Sequence, residues 1–256
     1  MSDLERYLLI GLIVFFTNFQ EGITGFGCTA LALPFVTLIL GDLELAKHIL
    51  VPIAWSLALF IVIVSRKQII WREYGRIVAL AFIGLPIGIY LSKNLPKDNL
   101  QLLLAVFMAL IGIHGLAMQA SRSAEVRPAE GMRRTLLSGF IPMGGLMQGA
   151  FGSGGPLVVV YATRTLMDKS IFRVTLCLVW VTMNSVLISS WLLDPDFAEM
   201  NLRALQVIGI CIPFTVAGIL FGNVAHHRVN EVTFRRVVYS VLTASGIVLG
   251  WSLLRG

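Results

Sequence analysis

Two short stretches hold the residues best suited to chemistry: "EGITGFGCT", from Glu21 to Thr29, and "QGAFGSGGP", from Gln148 to Pro156. The first places three glycines between Gly22 and Gly27 and the second places four between Gly149 and Gly155, in a chain otherwise rich in Leu, Ile, Val and Phe. Glycine lets a backbone N–H approach a ligand closely, and Thr24, Thr29 and Ser153 add hydroxyl donors. A helix is expected to start after each cluster, near Thr29 and near Pro156, where proline suits a first turn. The free N–H groups and positive dipole end of such a helix favour an anion. The expected binding shell is Thr24, Gly25, Phe26, Gly27 and Thr29 from the first cluster, with Gly152, Ser153, Gly154 and Gly155 from the second. Close helix packing is the competing use of the same glycines.

Other residues extend that shell. His48 and Trp55 are seven apart, as are Arg173 and Trp180, so each cation shares a helix face with a ring. Either pair could clamp an anion or anchor a helix at a membrane interface. Asn184 lies four beyond Trp180 on the same face, able to donate to substrate oxygens or to bridge helices. Gln20, Glu21 and Gln148 precede the clusters, and Glu21, a carboxylate deep in apolar sequence, is the proton-coupling candidate. His226 and His227 read as a solvated loop pair. Cys28, Cys177 and Cys211 have no metal-ligand or disulfide spacing, so no metal, cofactor or catalytic residue is expected. GxxxxGK[ST], HExxH and GxSxG are all missing, which leaves secondary or passive transport rather than an ATP-driven pump or a familiar hydrolase.

The elements that must position these residues are membrane helices. The chain is 57% hydrophobic and 13% charged, against about 45–50% and 25% in soluble domains. Its net charge of +6 falls in short gaps between apolar runs, a topology signal rather than a nucleic-acid surface. The expected partners are therefore a lipid bilayer and a small anion, not nucleic acid, with a homodimer as the candidate assembly. Six apolar runs, 45–65, 75–92, 98–118, 172–193, 202–225 and 232–254, suit full crossings. Two glycine-interrupted regions, 8–40 and 135–167, each split into arms of about 16 residues, or about 24 Å, short of a ~30 Å hydrocarbon core.

Arg66, Lys67, Arg72 and Arg76, then Arg122, Arg127, Arg133 and Arg134, then Arg228, Arg235 and Arg236, face the cytoplasm by the positive-inside rule. Asp42 with Glu44, and Asp194, Asp196 and Glu199, then face outside; Lys93 and Lys97 fall in an outside gap against the rule. In this arrangement each interrupted region enters and leaves on one side. Gly22, Gly25, Gly27 and Pro86 recur 127 positions later as Gly149, Gly152, Gly154 and Pro213. The expected architecture is all-α: a polytopic integral membrane protein with two repeats, 1–118 and 135–256, joined by a cytoplasmic linker at 119–134. Each repeat is a hairpin plus three crossings, an odd number, so the second is inverted relative to the first. The hairpin tips would then meet near the midplane, the arrangement that marks a transporter's binding site.

At "EGITGFGCTALALPF" (21–35), "QGAFGSGGPLVVVY" (148–161) and the Pro86 and Pro213 segments, the chain resembles the sulfite exporter TauE/SafE family. Tyr161 stands where the first cluster's pattern has Pro34. The resemblance implies export of sulfite or an organosulfonate such as sulfoacetate or isethionate across a bacterial cytoplasmic membrane. Two readings compete with it: a proton-coupled anion importer using Glu21, and a non-transporting membrane subunit whose glycines only pack helices.

Overall fold

The computed structural model describes residues 3–120, 130–166, 168–192, 197–226 and 228, together with 239, 240, 243, 247, 250 and 251. Most of the expected crossing at 232–254 and of the linker at 119–134 lies outside the described residues. So do Arg122, Arg127, Asp194, Asp196, His227, Arg235 and Arg236. Among the described residues there are helices and no strands: α1 (Asp3–Thr24), α2 (Cys28–Leu40), α3 (Leu43–Ser65), a 3₁₀ turn (Arg66–Gln68), α4 (Trp71–Asn94), α5 (Lys97–Ala120), α6 (Gly131–Ser138), α7 (Phe140–Phe151), α8 (Gly155–Thr165), α9 (Lys169–Leu192) and α10 (Phe197–Ala225).

Among the described residues six stretches are long and apolar enough to cross a bilayer. Five match expected crossings, on α3, α4, α5, α9 and α10. The sixth is α1, which was expected to be a short hairpin arm. It runs for 22 residues, about 33 Å at 1.5 Å per residue, because its break falls at the far end of the apolar run and its first turn carries Asp3 and Glu5, acids that favour a helix start. Its return arm α2 has only 13 residues. In the second interrupted region α6 and α7 run on through Gly139, whose φ of −63° and ψ of −21° are helical, and the return arm α8 has 11 residues. Each region thus has a long outgoing and a short returning arm rather than two equal ones.

Backbone geometry places the breaks. Gly25 and Gly152 have φ of +80° and +63°, and their N–H groups bond back to the carbonyls of Glu21 (2.6 Å) and Gln148 (2.8 Å). This is the left-handed helix cap that glycine adopts without the roughly 1–2 kcal/mol penalty of other residues.

Glycines also set which helices touch. α1 packs along α10 and α7 along α4, while α3 crosses α9. On α4, Gly84 and Gly88 meet the carbonyls of Pro142 and Leu146; on α7, Gly145 and Gly149 meet those of Ala81 and Leu85, with no room for a Cβ. On α10, Gly222 lies against the Phe19 carbonyl, and a Cβ there would sit 3.0 Å from the Gly22 Cα. Small residues four apart let membrane helices approach this closely. Residue numbers rise together along both contacts, so each pair is parallel, and the end of α1 lies beside the end of α10.

Candidate anion site between two helix breaks

The two breaks meet around one polar cavity of about 20 Å³, room for about one water molecule. The first break contributes Glu21, Gly27, Thr29 and Ala30; the second contributes Gln148, Gly152, Ser153 and Gly155. Trp180 and Asn184 of α9 and Ala54 of α3 complete the wall. The short helices α2 and α8 both begin here.

Their N-termini are capped by equivalent residues. Glu21 Oε2 accepts from the Cys28 N–H at 2.6 Å, and Gln148 Oε1 accepts from the Gly154 N–H at 2.8 Å. In α2 the first chain bond runs from the Leu31 N–H to the Gly27 carbonyl, 2.9 Å, so Thr29 and Ala30 keep the unpaired N–H groups of a helix start. The other end of Gln148 donates to Asn184 Oδ1 at 2.6 Å, leaving the Asn184 amide N–H groups as donors. Ser153 is 3% exposed, and its hydroxyl has no hydrogen-bond partner among the described residues. An unpaired buried hydroxyl is costly unless something meets it.

Trp180 both lines the cavity and fixes its geometry. Its indole N–H donates to the Gly25 carbonyl at 2.9 Å, and the Cys177 thiol approaches the same oxygen at 3.8 Å.

The structure therefore gathers Glu21, Gly27, Thr29, Gly152, Ser153, Gly155, Trp180 and Asn184 from the residues singled out by sequence. Thr24 points elsewhere, accepting from Gln20 at 2.9 Å. Gly25 is held against the Arg173 backbone, and Gly154 against the Gly144 carbonyl. Phe26 packs edge-on against Phe172. His48 stacks on Trp191 with ring centroids 4.0 Å apart, and Trp55 donates to Ser185 at 2.9 Å. Arg173 is buried and donates to Asn223 at 2.5 Å, while its Nε lacks a partner.

His226 is not solvated. It is 4% exposed, with Nδ1 2.6 Å from the Ile23 carbonyl, because the parallel packing of α1 and α10 brings their ends together. Lys47, which sequence reasoning missed, is 1% exposed and occupies the corresponding place on α7, bonding the Ala150 carbonyl at 3.0 Å. It also bonds Glu44 at 2.8 Å and Ser92 at 2.5 Å. Its spacing of three from Glu44 was the available signal. Gln148, Ala30 and Ala54 were also outside the expected shell; the sequence signal for Gln148 is its place 127 after Glu21.

A second polar cluster ties the base of the second hairpin to α4. The Tyr161 hydroxyl donates to Glu73 at 2.8 Å and accepts from Arg76 and Arg134, each at 3.3 Å, while Arg134 pairs with Glu73. The residue that stands in place of a proline is thus the hub of a bonded cluster.

Six apolar helices of crossing length among the described residues make this a multi-pass membrane protein. The chain belongs to the sulfite exporter TauE/SafE family, whose model matches residues 10–249; this is a family of transporters and not of enzymes. It is 26% identical over 191 residues to the "Probable inner membrane transporter protein TsaS" of Comamonas testosteroni, covering 74% of this chain and 76% of that protein. It is 30% identical over 189 residues to the "Probable sulfite/organosulfonate exporter TauE" of Cupriavidus necator, covering 72% and 69%. No solved structure gives a significant match.

Proposed function

We propose that this protein is a secondary transporter of the bacterial inner membrane that exports sulfite or an organosulfonate, such as sulfoacetate or isethionate, binding the anion between the two breaks. The observation that carries the site is the meeting of two capped helix N-termini at a cavity holding the unpartnered Ser153 hydroxyl. Thr29 and Ala30 N–H groups, the Ser153 O–H, and the Asn184 amide would bind the sulfur oxygens as charge-assisted donors. The indole of Trp180 would pack the organic end.

The two halves are proposed to be an inverted repeat. In its support, the contact of α1 with α10 is mirrored by that of α7 with α4, and the contact of α3 with α10 by that of α9 with α4. Residues 127 apart also play the same parts: Gly25 and Gly152 as caps, Glu21 and Gln148 as acceptors. Inversion supplies two interconvertible arrangements around one fixed site, the basis of alternating access. The cavity of about 20 Å³ is too small for a sulfur oxyanion, so the tips must part to load and to release. With the basic gaps inside, an inside-negative potential favours outward movement of each negative charge by about 2.3 kcal/mol per 100 mV.

The test is transport by purified protein in proteoliposomes, read as anion flux together with current, comparing sulfite, isethionate, sulfoacetate and sulfate with acetate. A sulfur-anion flux lost in Gly155→Ala is the expected result. That glycine has space for a Cβ, 3.6 Å from Phe26, so the variant should fold while its methyl fills the site. No flux of any of these sulfur anions, from folded protein, would overturn the proposal.

A further inference from the structure

We infer, resting on the transport reading above, that Glu21 and the transported anion cannot both be charged in the cavity, so the anion binds together with one proton taken up by Glu21. The argument begins with the internal control provided by the second tip. Glu21 and Gln148 do the same structural work, each accepting a backbone N–H at the start of a short helix. A neutral amide suffices at one tip, so capping does not require the carboxylate charge at the other.

That charge is isolated. Glu21 is 3% exposed, and among the described residues the only bonded partner of its carboxyl group is the Cys28 N–H. The groups facing it are polar or apolar rather than cationic: Cys28 and Thr29 from α2, Gln148 from α7, Ser153 before α8, Trp180, Cys177 and Asn184 from α9, and Ala54 from α3. The cations next to this break, among the described residues, have other bonded partners. Arg173 packs on Gly25 and bonds Asn223 of α10, and His226, at the end of α10, bonds the Ile23 carbonyl.

An anion held between the tips shares with Glu21 a cavity that Glu21 itself lines. Two like charges in one buried cavity exclude one another in a medium of low dielectric. A proton from water on one Glu21 oxygen removes the conflict. The remaining carbonyl oxygen keeps the Cys28 bond, as the Gln148 amide does at the other tip, and the new O–H becomes a donor to the anion. A dianion such as sulfite would then move with a net charge of one, still driven outward by the potential. A monoanionic sulfonate would move without net charge, driven by its own gradient.

The experiment is calorimetric titration of the full-length detergent-purified protein with isethionate, in buffers of different ionisation heats. Isethionate keeps its charge across the working range, so any proton uptake belongs to the protein. Wild type should take up one proton per anion at pH values where Glu21 is ionised, its apparent Kd rising tenfold per pH unit there. Glu21→Gln should bind with no proton uptake and a flat profile, and His226→Gln should keep the wild-type slope. Isethionate binding without proton uptake in wild type overturns the inference by itself and needs no variant. A slope that survives Glu21→Gln overturns it too. Failure of folded wild type to bind any of the sulfur anions overturns the transport reading and this inference together.

Discussion

The two tips are built alike but differ in one ionisable group. Each ends a long helix on a left-handed glycine, Gly25 or Gly152, turns within three residues, and starts a short helix toward the shared cavity. Each outgoing helix also has a last-turn carbonyl occupied by a side chain from elsewhere, Ile23 by His226 and Ala150 by Lys47. Yet the first tip carries the carboxylate of Glu21 and is held from α9 by Trp180. The second carries the amide of Gln148, and Trp55, the counterpart of Trp180, bonds Ser185 instead. The shared features are those a backbone break requires. The unshared ones, a carboxyl group against an amide and an indole bond to Gly25 against one to Ser185, lie beyond what a break requires.

Adjacent glycines in the second tip give the sharpest way to break this comparison. Gly154→Ala drives a Cβ into the Gly144 carbonyl, and backbone cannot yield as a side chain can. Folded yield should collapse, or the melting temperature fall by the equivalent of about 3 kcal/mol. In Gly155→Ala, as above, yield should hold while transport falls at least about tenfold. Equal loss of yield in both would mean that the second tip is packing and nothing more.

Lys47→Met tests whether the two carbonyl caps are equivalent in strength. It strips a donor from Ala150 and leaves Glu44 without its cation, at a cost of about 2–3 kcal/mol. His226→Gln, which can still donate to Ile23, should cost less than about 1 kcal/mol. Thermal or denaturant unfolding in detergent reads both.

The tryptophans should separate in the same way. Trp180→Phe leaves the buried Gly25 carbonyl with only a weak thiol contact, so stability should drop by about 1–2 kcal/mol and anion affinity should weaken. Trp55→Phe frees a half-buried serine hydroxyl that still bonds the Val181 carbonyl at 2.7 Å, and should leave affinity within about twofold, a shift of roughly 0.4 kcal/mol. Equal affinity losses would show that both rings serve the cavity alike.

Ser153→Ala is the smallest perturbation. It removes a hydroxyl with no partner among the described residues, so stability should stay level or rise slightly. Anion affinity should fall about tenfold, as for a lost hydrogen bond of about 1.5 kcal/mol to a charged group. Unchanged binding with raised stability would remove Ser153 from the site.

Much was legible before any coordinates. Composition and apolar run length fixed a membrane protein with broken helices, because a bilayer admits few backbone solutions. Glycine spacing located the breaks at 25–27 and 152–154, since a left-handed cap at Gly25 or Gly152 has a local cause. Glu21, Thr29, Ser153, Trp180 and Asn184 were marked by chemistry that is unusual in apolar sequence.

Which of those residues share a space was a different matter. His48 and Arg173 satisfy the same spacing rule beside a tryptophan, but spacing names a helix face and not the neighbour it meets; one stacks on Trp191 and the other backs Gly25. The role of Gly149 as a packing contact with Leu85, the burial of His226 and the reach of Lys47 to Ala150 all depend on partners more than 60 residues away. Local sequence determines where a chain must bend and what each bend can offer, because caps and dipoles act within a turn. The meeting of two bends in one cavity, one bearing a carboxyl group and one an amide, is set by parallel glycine contacts between distant helices, and these exist only once the chain has packed.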